Sequence, residues 1–293
     1  MKIAAAAYPL SWFETWAEYE AKMTAWVAEA ADEGADLLLF PEYGAMELAS
    51  LSGEQAAGSP HGSTEAVAEW LPAANALFSK LSAEYGVHIV SPSAPVRDGE
   101  KVVNRAGIFA PSGTIGWQDK QIMTRFERDP WGISGGAPLQ VFETALGKIG
   151  ILICYDSEFP LLAKALADAG AEMILVPSCT EALEGYWRVR IGSMARALEL
   201  QCVTAMASTV GAEPRLYAVE ETTGAGGVFC PPDQGFPSTG VIAEGAIGTP
   251  GWTYAEVDLD AVRAVRADGH VLNLTHWAEQ PDRVTHVATS RLI

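Results

Sequence analysis

The chain has 293 residues, 49% of them hydrophobic, which is ample material for a large buried core. Its 19 Lys and Arg against 37 Asp and Glu give a net charge of −18, which repels nucleic acid and anionic membrane surfaces and so disfavours nucleic-acid binding. No apolar run is long enough to span a bilayer. Strand and helix patterns alternate throughout, the grammar of an α/β protein, and chains of this class and length are often one domain.

Met1-Lys2, Ile3 and four alanines superficially resemble the start of a signal peptide, but the apolar run ends at Pro9, so residues 2–8 read as a first strand. Ser11 precedes a helical pattern with Trp12, Trp16, Tyr19, Met23, Trp26 and Val27 on one face, ended by Gly34. Leu37 to Phe40 is a short buried strand running into Pro41-Glu42. That sets a carboxylate at the C-terminal end of a strand, where open α/β sheets bind ligands; the alternative is an ordinary solvated loop glutamate. Residues 48–62 turn small, polar and glycine-rich and read as a surface loop. A second helix follows, using Val67, Trp70, Leu71, Ala74, Leu77, Phe78, Leu81 and Tyr85, with a kink or restart at Pro72 and a stop at Gly86. Val87 to Val90 is the next strand, in which His88 is a core or edge histidine without a ligand partner.

Residues 102–110 and 114–118 read as strands joined by Pro111-Ser112-Gly113. Lys120 follows directly and, on its own, is an ordinary solvent-facing charge. Arg125 to Asp129 mixes charge with Phe126, and residues 131–138 read as a glycine-rich loop. Leu139 to Thr144 and Lys148 to Ile153 form a hairpin that delivers Cys154. The run before Cys154 is apolar without alternation, as in a strand buried on both faces. Tyr155 to Glu158 break it and Pro160 opens a helix. A cysteine at such a turn is lifted out of the sheet, beside backbone N–H groups able to bind an anion, which is nucleophile geometry; the alternative is an inert core cysteine. The four cysteines, at 154, 179, 202 and 230, contain no Cys-x-x-Cys pair and no nearby histidine, so they offer neither a zinc pattern nor a compact disulfide framework. A reducing cytoplasm is the expected location.

Leu161 to Ala169 is a helix and Met173 to Val176 a strand ending at Pro177-Ser178-Cys179-Thr180, which makes a right-handed βαβ crossover. Cys179, Thr180, Tyr186 and Trp187 follow that strand end and are candidate pocket residues, with ordinary packing as the alternative. Trp187 to Leu200 reads as a helix and Gln201 to Ser208 as a strand. Strand-like, glycine- and proline-rich sequence runs on to Val257, then a short helix from Asp260 to Ala267. Residues 268–293 form a tail that would fray unless packed on something, with a partner subunit as the candidate. His276 and His286 within it are too far apart to share a metal.

Taken together, these residues resemble the carbon-nitrogen hydrolase, or nitrilase, superfamily. The matching blocks are Leu-Phe-Pro-Glu around Glu42, Gln-Asp-Lys around Lys120, Gly-Ile-Leu-Ile-Cys-Tyr-Asp around Cys154, and the run from Ala195 to Cys202. They extend the resemblance from the first strand to about residue 260. Asp156 after Tyr155 fits amidase-like members better than true nitrilases. Gln121-Ile122-Met123, Leu161 and Leu200 stand where better-characterised members carry other residues, which leaves the substrate open.

The resemblance implies a four-layer αββα sandwich forming one domain over residues 1–293, commonly assembled as a homodimer. It also implies a Glu-Lys-Cys site with a second glutamate, for which Glu127 falls in the matching place. In the expected chemistry Glu42 takes the thiol proton, and Lys120 favours the thiolate and binds the oxyanion together with the Tyr155 N–H. Glu127 orients the amide nitrogen or the water and holds Lys120, the alternative being a surface ion pair with Arg125 or Arg128. No metal or organic cofactor is needed. The expected function is an amidase for a small linear carboxamide or N-carbamoyl compound, acting through an acyl-thioester on Cys154. The alternatives are a nitrilase or acyltransferase using the same thioester, and a non-catalytic binding or scaffold protein.

Overall fold

A computed structural model describes residues 1–292; residue 293, the last of the expected tail, lies outside the described residues. Strands β1 (Lys2–Pro9), β2 (Leu37–Leu39) and β3 (His88–Val90) lie parallel, so the chain must cross over between them through helices. The first crossover is α1 (Trp16–Asp32). It starts later than the apolar pattern because Thr15 and Glu18 form a reciprocal capping box, which leaves Trp12 outside the helix. Gly34, with a positive φ of 77°, turns the chain after it.

The stretch expected as a surface loop, residues 48–62, departs from that reading at its start, where Leu48 to Ser50 are buried, whereas of residues 51–62 only Ala57 is buried. Residues Gly44–Ser52 form a buried 3₁₀ helix, followed by the short α2 (Glu54–Ala57). What the composition hides is Glu47. Its buried carboxylate accepts from the Tyr8 hydroxyl at 2.7 Å and the Ser11 N–H at 2.5 Å and pairs with Lys22, so the segment is anchored by charge as well as by Met46, Leu48 and Ala49 in the core. The long α3 (Pro60–Tyr85) then starts on the Ser59 cap, runs through Pro72 without ending, and stops at the left-handed Gly86.

An edge strand that the sequence reading missed, β4 (Ala94–Asp98), pairs with β5 (Lys101–Phe109), which pairs antiparallel with β6 (Ile115–Asp119) and with the short β7 (Ile133–Ser134) in parallel. Pro95 inside β4 is tolerated at an edge. The hairpin of β8 (Val141–Thr144) and β9 (Gly147–Ile151) leads into a 3₁₀ turn from Cys154 to Glu158, then α4 (Pro160–Asp168). Next come β10 (Met173–Ser178), α5 (Leu183–Leu200) and β11 (Val203–Ala212), with β9, β10 and β11 parallel. The strand expected from Gln201 starts two residues later because Gln201 is the left-handed cap of α5.

Strand β1 joins the two halves. It pairs with β2 over Ile3 to Ala5 and with β11 over Ala7 to Pro9. The returning strands β12 (Glu221–Thr222), β13 (Gly227–Phe229), β14 (Val241–Glu244) and β15 (Gly251–Glu256) close antiparallel against β11 and β1. A single hydrophobic cluster runs through this curled sheet from Ile3 to Val262.

After α6 (Leu259–Asp268) the tail contains α7 (Asn273–His276) and α8 (Gln280–Arg283). Its first part packs on its own chain: Gln201 binds the Val265 and Val271 carbonyls at 2.9 Å and accepts the Leu274 N–H, while Lys164 lies over the Trp277 ring. Residues 278–292 are exposed.

Candidate active site

Three carboxyl ends of parallel strands and one loop converge on a single cavity of about 300 Å³. Glu42 arrives three residues beyond β2, Cys154 three beyond β9 and Cys179 just beyond β10, while Lys120 follows β6. All four, with Glu127, line this cavity, so the expected site residues meet although they are spread over more than a hundred positions.

Cys154 has a φ of 50°, a left-handed conformation uncommon for a residue with a side chain. The surroundings hold it there. The Ser157 hydroxyl donates to the Cys154 carbonyl at 2.7 Å, the Asp156 N–H closes on the Ile153 carbonyl at 3.1 Å, and Arg196 donates to the Ser157 carbonyl at 3.2 Å. Gly192 of α5 is required at this contact, because a Cβ there would lie 3.0 Å from the Ser157 oxygen. The Ala195 to Cys202 block thus supports the nucleophile turn from behind. Asp156 reaches the other way, accepting the N–H groups of Gln121 at 3.0 Å and Ile122 at 2.8 Å, and so ties the segment after Lys120 to the turn that carries Cys154. Burial pushes the Asp156 carboxyl up to about 6, against the pull of Lys120 and these N–H donors.

Lys120 is only 1% exposed, which overturns its reading as a solvent-facing charge. Its ammonium contacts Glu42 Oε1 at 2.7 Å and both oxygens of Glu127 at 2.8 and 2.7 Å. Burial disfavours this cation, but the charges of Glu42 and Glu127 more than offset it, so Lys120 stays protonated. Glu127, in a π-helical turn (Glu127–Trp131), also accepts the Tyr43 hydroxyl at 2.7 Å, the Thr124 N–H at 2.8 Å and the Thr124 hydroxyl at 2.9 Å. With Lys120, these donors fill the roughly four lone-pair sites of a carboxylate. Glu127 is therefore an ionised anchor for Lys120 with no acceptor left for a substrate amide, and the surface-pair alternative is ruled out by its burial. Although burial opposes its charge, Lys120 and the hydrogen bonds hold its pKa below the usual carboxylate range.

Glu42 differs. Burial pushes its carboxyl up to about 7, although Lys120 pulls the other way. The Cys154 thiol, also buried and facing the Glu42 charge, is pushed well above the usual thiol range despite Lys120. The resting site therefore keeps the proton on sulfur, which donates to the Cys179 carbonyl at 3.8 Å. The expected thiolate stabilisation by Lys120 is outweighed at rest, and an adjacent base becomes necessary.

Among the candidate pocket residues, Cys179 and Thr180 line the cavity, and so does Tyr155. Tyr186 and Trp187 do not: Tyr186 is buried with its hydroxyl on Glu244 at 3.1 Å, and Trp187 is exposed on the outer side of α5. The helix begins at Leu183, four residues earlier than expected, and its Glu184, Gly185, Arg188 and Val189 line the cavity instead. Sequence reasoning missed Tyr43, Asn104 and Thr124, which hold the two glutamates; a polar residue in the interior of the strand carrying Asn104 was the available signal. Toward solvent the cavity carries Glu158, Glu181, Glu184 and Glu221 against Arg188, which lies 3.6 Å from Glu158. Among the described residues no group of three or more His, Cys, Asp or Glu could hold a metal ion, and no helix is long and apolar enough to cross a membrane.

The chain has relatives both in sequence and among solved structures. The probable hydrolase YhcX of Bacillus subtilis is 35% identical over 274 residues, 94% of this chain, which spans about half (53%) of that relative's length. The omega-amidase NIT2-A of Xenopus laevis is 29% identical over 203 residues, 65% of this chain and 68% of that protein. A mutant amidase from Nesterenkonia sp. AN1, solved with acrylamide added at its active-site cysteine, matches with a TM-score of 0.71 at 24% identity, covering 92% of this chain and 97% of its own. Nit3 of Saccharomyces cerevisiae, a nitrilase-superfamily member, matches at 0.70 and 19% identity, covering 91% and 93%. These structural matches establish the αββα sandwich. The family description carbon-nitrogen hydrolase fits residues 2–232, and a match of that extent establishes that this chain belongs to the carbon-nitrogen hydrolase family, within the nitrilase superfamily.

Proposed function

We propose that the chain is a cysteine-dependent amidase that converts a small linear carboxamide or N-carbamoyl compound to its acid and ammonia. The observation that carries the reading is one buried cluster in which Lys120 bridges Glu42 and Glu127 beside the Cys154 thiol. Cys154 Sγ attacks the carbonyl carbon as Glu42 takes its proton. The oxyanion is received by the Tyr155 N–H and by the Lys120 ammonium, which exchanges one of its two contacts with Glu127 for it. The C–N bond then breaks as Glu42 returns the proton to the leaving nitrogen, giving ammonia and a thioester. Water, deprotonated by Glu42, attacks the thioester and releases the acid and the thiol.

The mouth favours neutral or cationic amides over monoamides of dicarboxylic acids, because its four carboxylates outnumber Arg188. The chain acts in the cytoplasm as a homodimer. An apolar stripe of Leu183, Trp187, Ile191 and Leu198 along α5, beside Leu161 of α4, is exposed and gives a second copy a face to cover; light scattering across a dilution series reads the dimer. Ammonia release from a panel of linear amides and N-carbamoyl compounds tests the activity itself. A panel without turnover, with Cys154 no faster toward iodoacetamide than an ordinary surface thiol, would favour the scaffold alternative.

A further inference from the structure

The two oxygens of Glu42 stand in different surroundings. Oε1 accepts from the Lys120 ammonium at 2.7 Å and from Asn104 Nδ2 at 2.9 Å. Oε2 accepts from the Cys179 N–H at 3.1 Å. A carboxylate oxygen offers about two lone-pair sites, so Oε1 is filled while Oε2 keeps one open.

Asn104 is held in one orientation. Its Oδ1 accepts the Ser93 hydroxyl at 2.7 Å, and the Ser93 oxygen accepts the Tyr43 N–H at 3.0 Å, so the donors run one way from the Tyr43 backbone to Glu42. Turning the amide over would set its oxygen against the Glu42 carboxylate. The Asn104 carbonyl also accepts the Lys120 N–H at 2.9 Å, and Asn104 and Ser93 are wholly buried. One residue on β5 thus touches the base through its side chain and the backbone of the cation through its own backbone carbonyl, a contact that Asn104→Ala keeps.

We propose that Asn104 is a positioning residue for this reaction: by filling Oε1 of Glu42 it makes Oε2 the oxygen that takes the Cys154 proton and returns it to the leaving nitrogen. The proposal rests on the amidase reading. It also makes Asn104 a determinant of the pH at which Glu42 works, because a donor to a carboxylate favours the charged form. The other groups facing Glu42 are Lys120, Glu127, Cys154, Cys179 and Tyr43, and Asn104→Ala removes none of them.

The test is the pH profile of kcat/KM for Asn104→Ala and Ser93→Ala, together with the pH dependence of Cys154 alkylation by iodoacetamide. For Asn104→Ala, kcat falls about tenfold or more with KM within about threefold, and the acid limb of both profiles moves up by about one pH unit, the effect of one hydrogen bond to a charged group. Ser93→Ala keeps the volume of Asn104 and moves the limbs less, in the same direction. A drop in kcat with both limbs unmoved marks a merely structural role and overturns the proposal, as does wild-type behaviour. If Asn104→Ala does not fold, unmoved limbs in Ser93→Ala overturn it alone. If the wild type releases no ammonia from any amide, the amidase reading fails while the alkylation profiles still decide the role of Asn104.

Discussion

Replacing Lys120 with methionine keeps the length of the side chain and removes its charge, leaving Glu42 and Glu127 facing each other without a cation. Lys120, Glu42 and Glu127 are each no more than 2% exposed, and the ammonium makes contacts of 2.7 to 2.8 Å with both carboxylates. Breaking a buried pair from one side costs about 3–5 kcal/mol. At about 2 °C per kcal/mol for a chain of this size, the melting temperature falls by roughly 6–10 °C. The loss depends on pH with a definite sign. Glu42 already sits at about 7 with Lys120 pulling it down, so without the lysine its folded pKa rises further above the unfolded value. A raised carboxyl takes up a proton in the folded state, so the stability it contributes is present at low pH and lost as pH rises through the folded pKa. The difference in melting temperature between Lys120→Met and wild type is therefore largest near pH 9 and shrinks toward pH 5. Differential scanning fluorimetry at both pH values reads it. An equal loss at both, or none at either, would refute the buried-cluster reasoning. Ammonia release falls on the order of a hundredfold or more, as for other oxyanion donors.

Glu127→Gln sets an amide N–H₂ against Lys120, Tyr43 or Thr124 donors and loosens the lysine; kcat should drop about tenfold to a hundredfold with a lower melting temperature, and wild-type turnover would remove Glu127 from the site. The kcat/KM profile of the wild type should rise with pH through about 7 as Glu42 ionises, so a flat profile from pH 5.5 to 8.5 would rule out Glu42 as the base. Tyr186→Phe should leave kcat/KM within about twofold, since its hydroxyl serves Glu244 away from the cavity; a larger loss would return Tyr186 to the pocket. Among amides of equal length, one ending in an ammonium group should be turned over at least as well as a neutral one and better than one ending in a carboxylate; preference for the carboxylate would show that Arg188 dominates the mouth.

Two of the reacting groups were readable because each stands at the end of a short apolar run that reads as a buried strand. Glu42 follows Leu37 to Phe40, and Cys154 follows Lys148 to Ile153. Lys120 was legible only through the family block around it, since nothing local distinguishes a buried lysine from a surface one until its partners are known. The start of the expected loop, Leu48 to Ser50, was misread for a related reason: its small residues look like a loop, and the anchor beside it is the Glu47 carboxylate, whose partners Tyr8 and Lys22 lie far back in the chain. Tyr186 and Trp187 failed as pocket residues because the helix already starts at Leu183, and on its first turns Glu184, Gly185, Arg188 and Val189 face the cavity instead. Tyr43 was silent and Asn104 marked only as a polar residue inside a strand, because their roles exist as hydrogen bonds at sequence separations of 84 and 62 residues.

The most direct test of the proposed mechanism is acid-quenched peptide mass spectrometry during turnover of a small amide, paired with ammonia release by Cys154→Ala. The mechanism requires the acyl group as a thioester on the peptide carrying Cys154, and no ammonia release above background from the variant. Ammonia release by Cys154→Ala at the wild-type rate, with no acylated Cys154 in the wild type, would contradict it.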